Sequence, residues 1–286
     1  MINSTKGYID QNGLAAKQFV QTKQLSVIRL TFMVAAFGIF FIFLVALTVQ
    51  QLLSRSTLID LASDFRTLST IAVITSFVSL ILYFVTAFKL RNPNTSLTWF
   101  WALIITDVIS YGITLGILLT LATTFSKQVN FEANDIVYAF LGASLVFGSV
   151  WGLSALPSQK RRYQQTQTLF HILLWAFVIS IVASLLSFIL NFTVFASTTN
   201  LLDRIIPGLS LIVGGIFSLI SVYFVSLQIR NEQDLIKYYE SEDYEMARRQ
   251  SWRSALFFGA WLISSFMNLV YFILRIILIT KNFSRV

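Results

Sequence analysis

Hydrophobic residues along this chain fall into seven long runs, separated by short polar segments and by one longer charged stretch. A helix needs about 20 apolar residues to cross the core of a bilayer, and each run is close to that length or longer. Because backbone groups in lipid must be hydrogen-bonded within their own segment, such runs predict helices and not short barrel strands. The predicted spans cover residues 27–53, 69–88, 97–121, 136–156, 169–195, 205–228 and 254–279.

The remaining segments are polar. Residues 1–26 predict a cytoplasmic tail that precedes a transmembrane domain covering residues 27–280. The charged stretch 229–253 is rich in helix-forming residues and too short to bury a core of its own. We therefore expect it to continue span 6 into the cytoplasm as a helix and to return to span 7.

Composition supports a membrane protein. The chain has 286 residues, of which 56% are hydrophobic and 12% charged, whereas about 25% of residues are charged in ordinary soluble domains. The net charge of +8 would indicate nucleic acid as the partner of a soluble protein. Here the basic residues flank the apolar runs, so we expect the bilayer as partner and no nucleic acid.

The distribution of lysine and arginine predicts the orientation. These residues are concentrated in the segments on the side of the amino terminus, including residues 160–162 and 248–253. Under the positive-inside rule this side is cytoplasmic. With seven spans, the carboxyl terminus is then expected outside, in a multi-pass protein of the plasma membrane.

One acidic residue lies inside a predicted span. Asp107 is near the middle of span 3, where an ionised carboxylate costs roughly 2.5–3.5 kcal/mol on insertion scales. Tyr111 and Thr114 follow it on the same helix face. Two interpretations are open: a cation or proton site inside the bundle, or a protonated carboxyl hydrogen-bonded to a neighbour such as Ser264 or Ser265.

The last span has a polar centre formed by Ser264, Ser265 and Asn268. Such side chains favour contact with other helices or with a wet cavity over contact with lipid. We therefore predict an all-α bundle of seven transmembrane helices with the last helix central. Since Asp107 and Ser265 lie about equally deep in their spans, we expect Asp107 near Ser264, Ser265 or Asn268.

Small residues four apart predict further helix contacts, at Gly148 and Gly152 in span 4 and at Gly214 and Ser218 in span 6.

The sequence does not indicate an enzyme. The spans contain no carboxylate pair, no metal-ligand cluster, no phosphate-binding loop and no serine elbow, and the chain has no cysteine. We expect no enzymatic activity, no cofactor and no metal site.

Four stretches resemble one family. They are LTFMVAAFGIFFIFLVALTVQ in span 1, YGITLGILL in span 3, IVYAFLGASLVFGSVWGLSALPSQKRR around span 4, and DLIKYYESEDYEMARRQSWRSALFFGAWLISSFMNLVYFILRIILI from residue 234 to residue 279. In order and spacing they resemble the bacterial branch of the Bax inhibitor 1 (transmembrane BAX inhibitor motif) family. The resemblance implies seven helices with the last one central. It also implies a pH-sensitive leak of calcium or other cations and a role in stress responses.

The resemblance implies an aspartate in span 6 and another in span 7, and this chain has neither. The span 7 position falls on Ser265, and the span 6 position falls on Phe224 or Val225. Two carboxylates that share a proton can form a pH gate, whereas a serine and an apolar residue cannot.

Two functions therefore remain open. The first is a cation leak channel without this gate, in which Asp107 binds the cation or titrates and the polar centre of span 7 lines the path. The second is a non-conducting membrane protein that binds other membrane proteins, such as a membrane-bound protease.

Overall fold

Every regular element in the described part of the chain is an α-helix. The computed structural model describes residues 26–55, 58–92, 95–124, 132–175 and 202–283. Within these ranges the helices are α1 (Val27–Arg55), α2 (Leu58–Lys89), α3 (Thr98–Thr124), α4 (Ala133–Leu153), α5 (159–175), α6 (Leu202–Glu242) and α7 (Tyr244–Phe283). The predicted tail up to residue 25 and most of predicted span 5, from residue 176 onward, lie outside the described residues.

Five helices in these ranges are long and apolar enough to cross a membrane. They are Val27–Arg55, Ser63–Lys89, Thr98–Thr123, Ala133–Leu153 and Tyr244–Leu278. Large apolar side chains such as Phe37 and Val73 point outward from them, with 61% and 69% of their surface exposed. An apolar outer surface of this kind is suited to lipid and not to water. The chain is thus an all-α protein with the features of a membrane protein.

The charged stretch after span 6 is helical. Helix α6 continues to Glu242, and α7 begins at Tyr244 and not at the predicted Ser254. Only Asp243 interrupts the two helices, and its carboxylate accepts a hydrogen bond from the backbone N–H of Met246 at 3.0 Å. An aspartate in this position caps the start of the next helix. The two long helices therefore form a hairpin, and α7 begins well before its apolar run.

Helix α7 packs against α1, α3, α4 and α6, whereas α2 packs mainly against α3. The main core consequently forms along α7, where Leu256, Ile263 and Met267 are fully or almost fully buried. They meet Ile42 of α1 and Leu103 of α3 in the same cluster. Any polar side chain on the inner face of α7 is therefore held between several helices.

Glycines bring α3 close to α1. A Cβ atom added to Gly116 would lie 2.6 Å from Cβ of Val49 and 2.7 Å from the carbonyl oxygen of Ala46. One turn earlier, a Cβ atom at Gly112 would lie 2.6 Å from Val45. Glycines four apart allow two helices to meet almost backbone to backbone, which is the principal short-range attraction available in lipid.

The glycine contacts predicted in spans 4 and 6 are not found among the described residues. Gly148 and Gly152 are exposed, and a Cβ atom at either position, or at Gly214, would meet nothing within 4 Å. Ser218 donates its hydroxyl to the carbonyl of Gly214 in its own helix, at 2.8 Å. Ser218 is nevertheless buried, and next to Gly214 a Cβ atom at Gly215 would overlap the ring of Phe272 of α7, so α6 makes a close contact one residue away from the predicted glycine.

Candidate functional site

The Asp107 carboxylate lies between α3 and α2. Only 3% of the residue is exposed. Ser79 of α2 donates its hydroxyl to one carboxylate oxygen, and Tyr83 of α2 donates its hydroxyl to the other at 2.7 Å. The carboxylate of Asp107 thus faces the interior of the helix bundle, as expected, but its direct hydrogen-bond donors are not those predicted. The prediction that the donors are Ser264, Ser265 or Asn268 rested only on their depth in the membrane. Helix α2 lies closer to this face of α3.

The two hydroxyl donors reduce the cost of burying Asp107. An ionised aspartate in the middle of a membrane helix costs roughly 2.5–3.5 kcal/mol. A hydrogen bond to a carboxyl oxygen lowers that cost, and here each oxygen has a hydroxyl donor. Both oxygens of this buried carboxyl group are therefore hydrogen-bonded within the protein.

A second polar group joins α3 to α7. The hydroxyl groups of Tyr111 and Ser264 lie 2.8 Å apart, and Tyr111 also donates to Oδ1 of Asn268 at 3.4 Å. The Tyr271 hydroxyl donates to the carbonyl of Tyr111 at 3.2 Å. Asn268 itself is exposed, so this group reaches from the interior to the surface of the described helices.

Tyr83 connects the two groups. In addition to its bond with Asp107, its side chain interacts with that of Ser264. The side chains follow one another in the order Asp107 of α3, Tyr83 of α2, Ser264 of α7 and Tyr111 of α3. We call these four residues the hydroxyl relay, because three hydroxyl groups link one carboxylate to the polar centre of α7.

Ser265 has a separate partner. It is 2% exposed, and its hydroxyl lies 3.1 Å from that of Ser221 in α6. Phe224 and Val225, the predicted span 6 positions, are also buried, but Phe224 stacks on Trp261 at 5.4 Å between ring centroids. The side chain across from Ser265 is therefore Ser221, about one turn earlier than predicted. A pair of serines cannot share a titrating proton at ordinary pH.

The hydroxyl group of Thr114 does not hydrogen-bond to a residue of the hydroxyl relay. Its hydroxyl donates to the carbonyl of Ser110 in the same helix at 2.9 Å. The residues that sequence reasoning missed are on α2, where Ser76, Ser79 and Tyr83 repeat with helical spacing. That polar stripe in span 2 is a signal of the same kind as the one recognised in span 7.

Charged residues close both ends of the helices. At one end Lys281 of α7 lies 2.8 Å from Asp135, in the first turn of α4. At the other end Arg162 pairs with Asp234 of α6. Next to that pair, Arg230 donates to Ser154 at 2.9 Å, and burial together with the neighbouring Arg162 lowers its pKa. These contacts fix α4, α5, α6 and α7 relative to one another outside the apolar layer.

No group of three His, Cys, Asp or Glu side chains converges within the described ranges. A cation next to Asp107 would therefore be held by one carboxylate together with hydroxyl and carbonyl oxygens. Oxygen ligands of these kinds suit calcium, but a high-affinity calcium site has several carboxylates.

Comparison with known proteins gives a relative from Mycoplasma pneumoniae. It is described as "Uncharacterized protein MG320 homolog" and is 69% identical over 288 aligned residues, which cover 100% of this chain and 99% of the relative. The chain belongs to the family of that protein. No family model matches the sequence, and no solved structure matches it. The resemblance to the Bax inhibitor 1 family therefore stays a prediction.

Proposed function

We propose that this protein is a seven-span membrane protein, similar to the Bax inhibitor 1 family, through which cations such as calcium leak. The observation that carries the proposal is the hydroxyl relay. It brings a buried carboxylate close to the polar centre of α7, and polar side chains at such depth mark ion or proton pathways more often than lipid contacts. Asp107 is its single carboxylate.

The arrangement of the helices supports the proposal. Helix α7 packs on four other helices, as a central last helix should. The ion pair between Asp135 and Lys281 joins the start of α4 to the end of α7, which agrees with opposite directions for these two spans. The proposed orientation in the plasma membrane has the amino terminus in the cytoplasm and the carboxyl terminus outside.

The second candidate is a non-conducting protein that modulates other membrane proteins, for example a membrane-bound protease. It is favoured by the complete hydrogen bonding of Asp107, since both of its oxygens accept hydroxyl donors. It is also favoured by Ser265, which stands where the resemblance implies an acid and pairs with the hydroxyl of Ser221. In this case the relay has only a structural role.

Calcium flux into proteoliposomes at several pH values separates the two candidates. The variants are Asp107→Asn, which removes the titrating group, and Tyr83→Phe, which removes one of its donors. If the relay conducts, Asp107→Asn abolishes the pH dependence of the flux, and Tyr83→Phe increases the flux by releasing the carboxylate. Glu245→Gln is the control, because Glu245 is an exposed carboxylate outside the relay.

Flux equal to that of protein-free liposomes at every pH, for the wild-type protein and all three variants, would exclude the leak and favour the second candidate. Flux that is unchanged by Asp107→Asn would show conduction by a path that does not involve the relay.

A further inference from the structure

A large cavity lies between the end of α2 and the helices α5, α6 and α7. Its volume is about 1010 Å³. One part of its wall is aromatic and includes Phe88, Phe224, Phe257 and Trp261. Another part carries the guanidinium groups of Arg91, Arg249 and Arg253. The cavity is therefore amphipathic, with an apolar wall and a basic wall.

The two walls lie at different depths. Arg253 and Trp261 are both on α7, eight residues apart in sequence, which corresponds to about 12 Å along a helix. Arg91 lies two residues beyond the end of α2 at Lys89, and the ammonium group of Lys89 lies 4.1 Å from the ring centre of Trp99. Tryptophan and lysine at helix ends are typical of the membrane–water interface. The basic wall thus lies at headgroup level, and the aromatic wall lies deeper.

The basic wall continues into an adjoining cavity of about 460 Å³. That cavity shares Arg249 and Arg253 with the first one and adds Arg248, Trp252 and Leu97. Basic pockets between transmembrane helices at the membrane surface bind the headgroups of anionic lipids.

Three carboxylates also line the main cavity, and each has a partner within the protein. Glu232 accepts hydrogen bonds from Ser254 at 2.6 Å and from Gln250 at 3.1 Å. Glu245 lies 3.6 Å from Arg249, with both side chains largely exposed, so this pair is weak and open to exchange. The third, Asp243, accepts the backbone N–H of Met246 and caps α7. Among the arginines, Arg253 is buried and donates to the carbonyl oxygen of Asn92 at 3.1 Å. Arg91 and Arg249 are exposed and are therefore the groups best placed to receive an external ligand.

We propose that this cavity binds a glycerophospholipid. Its phosphate lies against Arg91 and Arg249, whose planar guanidinium groups match phosphate oxygens. One acyl chain follows Phe88, Phe257 and Trp261 toward the interior. The size also fits, because the cavity is at the upper end of the roughly 300–1,000 Å³ of small-molecule sites. The site does not depend on ion conduction, since no residue of the hydroxyl relay lines it.

The test is a titration of the purified full-length protein in detergent with dioleoyl phosphatidylglycerol, followed by native mass spectrometry. The variant Arg91→Gln/Arg249→Gln removes two exposed cations. We expect binding to weaken about thirty-fold, since each arginine near the membrane surface contributes a factor of roughly five. Ala87→Trp fills the cavity from an exposed position and should abolish the bound lipid.

Matched controls lie outside the cavity. Lys160→Gln removes an exposed cation, and Val73→Trp adds the same bulk to the exposed surface of α2. Both should bind lipid as the wild-type protein does. Equal loss in Lys160→Gln, or unchanged binding in Ala87→Trp, would overturn the proposal. Displacement of the lipid by millimolar inorganic phosphate would also overturn it, because the ligand would then be phosphate alone.

Discussion

The Lys281 ammonium group lies 2.8 Å from the carboxylate of Asp135 and ties the last turn of α7 to the first turn of α4. The side chain of Asp135 is only 4% exposed. Its carboxylate also accepts the backbone N–H of Glu132 at 2.8 Å, and the start of a helix favours negative charge. The same acid therefore caps one helix and holds the end of another.

Removing the cation should leave this acid buried without its partner. We expect Lys281→Gln to lower the free energy of unfolding by up to about 3 kcal/mol, less than for a fully buried pair because 32% of the lysine side chain is exposed. Asp135→Asn/Lys281→Gln should recover part of that loss. Thermal unfolding in detergent over the complete double-mutant cycle measures the coupling, and strictly additive effects would contradict it.

The absence of cysteine in the chain permits a direct test of orientation. Single cysteines placed by Gln159→Cys and Ser284→Cys should react differently with a membrane-impermeant maleimide in intact cells. The first should be protected and the second labelled, because the seven-span arrangement has these positions on opposite sides. Labelling of both, or of neither until the cells are lysed, would contradict an odd number of spans between residue 159 and residue 284.

Tyr83→Phe removes the phenolic donor to Asp107 and leaves the ring in place. The carboxylate then loses one of two hydrogen bonds at a buried site, so we expect a loss of about 1–3 kcal/mol in the free energy of unfolding. Tyr138→Phe is the matched control, since Tyr138 is 61% exposed. Similar unfolding temperatures for the two variants would show that the bond contributes nothing to stability.

The Ser221–Ser265 pair offers a way to introduce two interacting acids, one of them at the position in span 7 where the resemblance implies an aspartate. Two carboxylates in place of hydroxyl groups 3.1 Å apart cannot both be ionised without strong repulsion. The variant Ser221→Asp/Ser265→Asp should therefore lose stability as pH rises and both groups deprotonate. Ser221→Asn/Ser265→Asn should be insensitive to pH over the same range, and unfolding temperature measured between pH 5 and pH 9 compares them. A flat profile for the aspartate variant would show that the two positions do not interact.

Much of the helical framework could be predicted from sequence because a hydrophobic run of sufficient length has few alternatives in lipid. The contacts between helices could not, because depth fixes only one coordinate of a side chain. Asp107 and Ser265 have matching depths, yet Asp107 turns toward α2 and Ser265 toward Ser221 of α6. The rotation of each helix about its axis is decided by packing against its neighbours. An example is Gly116 of α3, which packs against α1.

Gly116→Ala tests that packing. The added methyl group would come within 2.7 Å of the Ala46 carbonyl oxygen, so the helices must separate, at a cost of about 1–3 kcal/mol. Gly148→Ala adds the same group where nothing lies within 4 Å and should be neutral or slightly stabilising. Unfolding temperatures in detergent provide the comparison. A larger effect at Gly148 than at Gly116 would contradict the close contact of α1 with α3.

The glycine contact also has a mechanical consequence. Helices α1 and α3 interlock, because Val45 and Val49 of α1 occupy the space that Gly112 and Gly116 leave on α3. Neither helix can slide along the other unless the two first move apart. Helix α2 holds Asp107 by hydroxyl groups, which can change partners without such a separation. A movement that uncovers the carboxylate is therefore a movement of α2 against a fixed frame formed by α1 and α3.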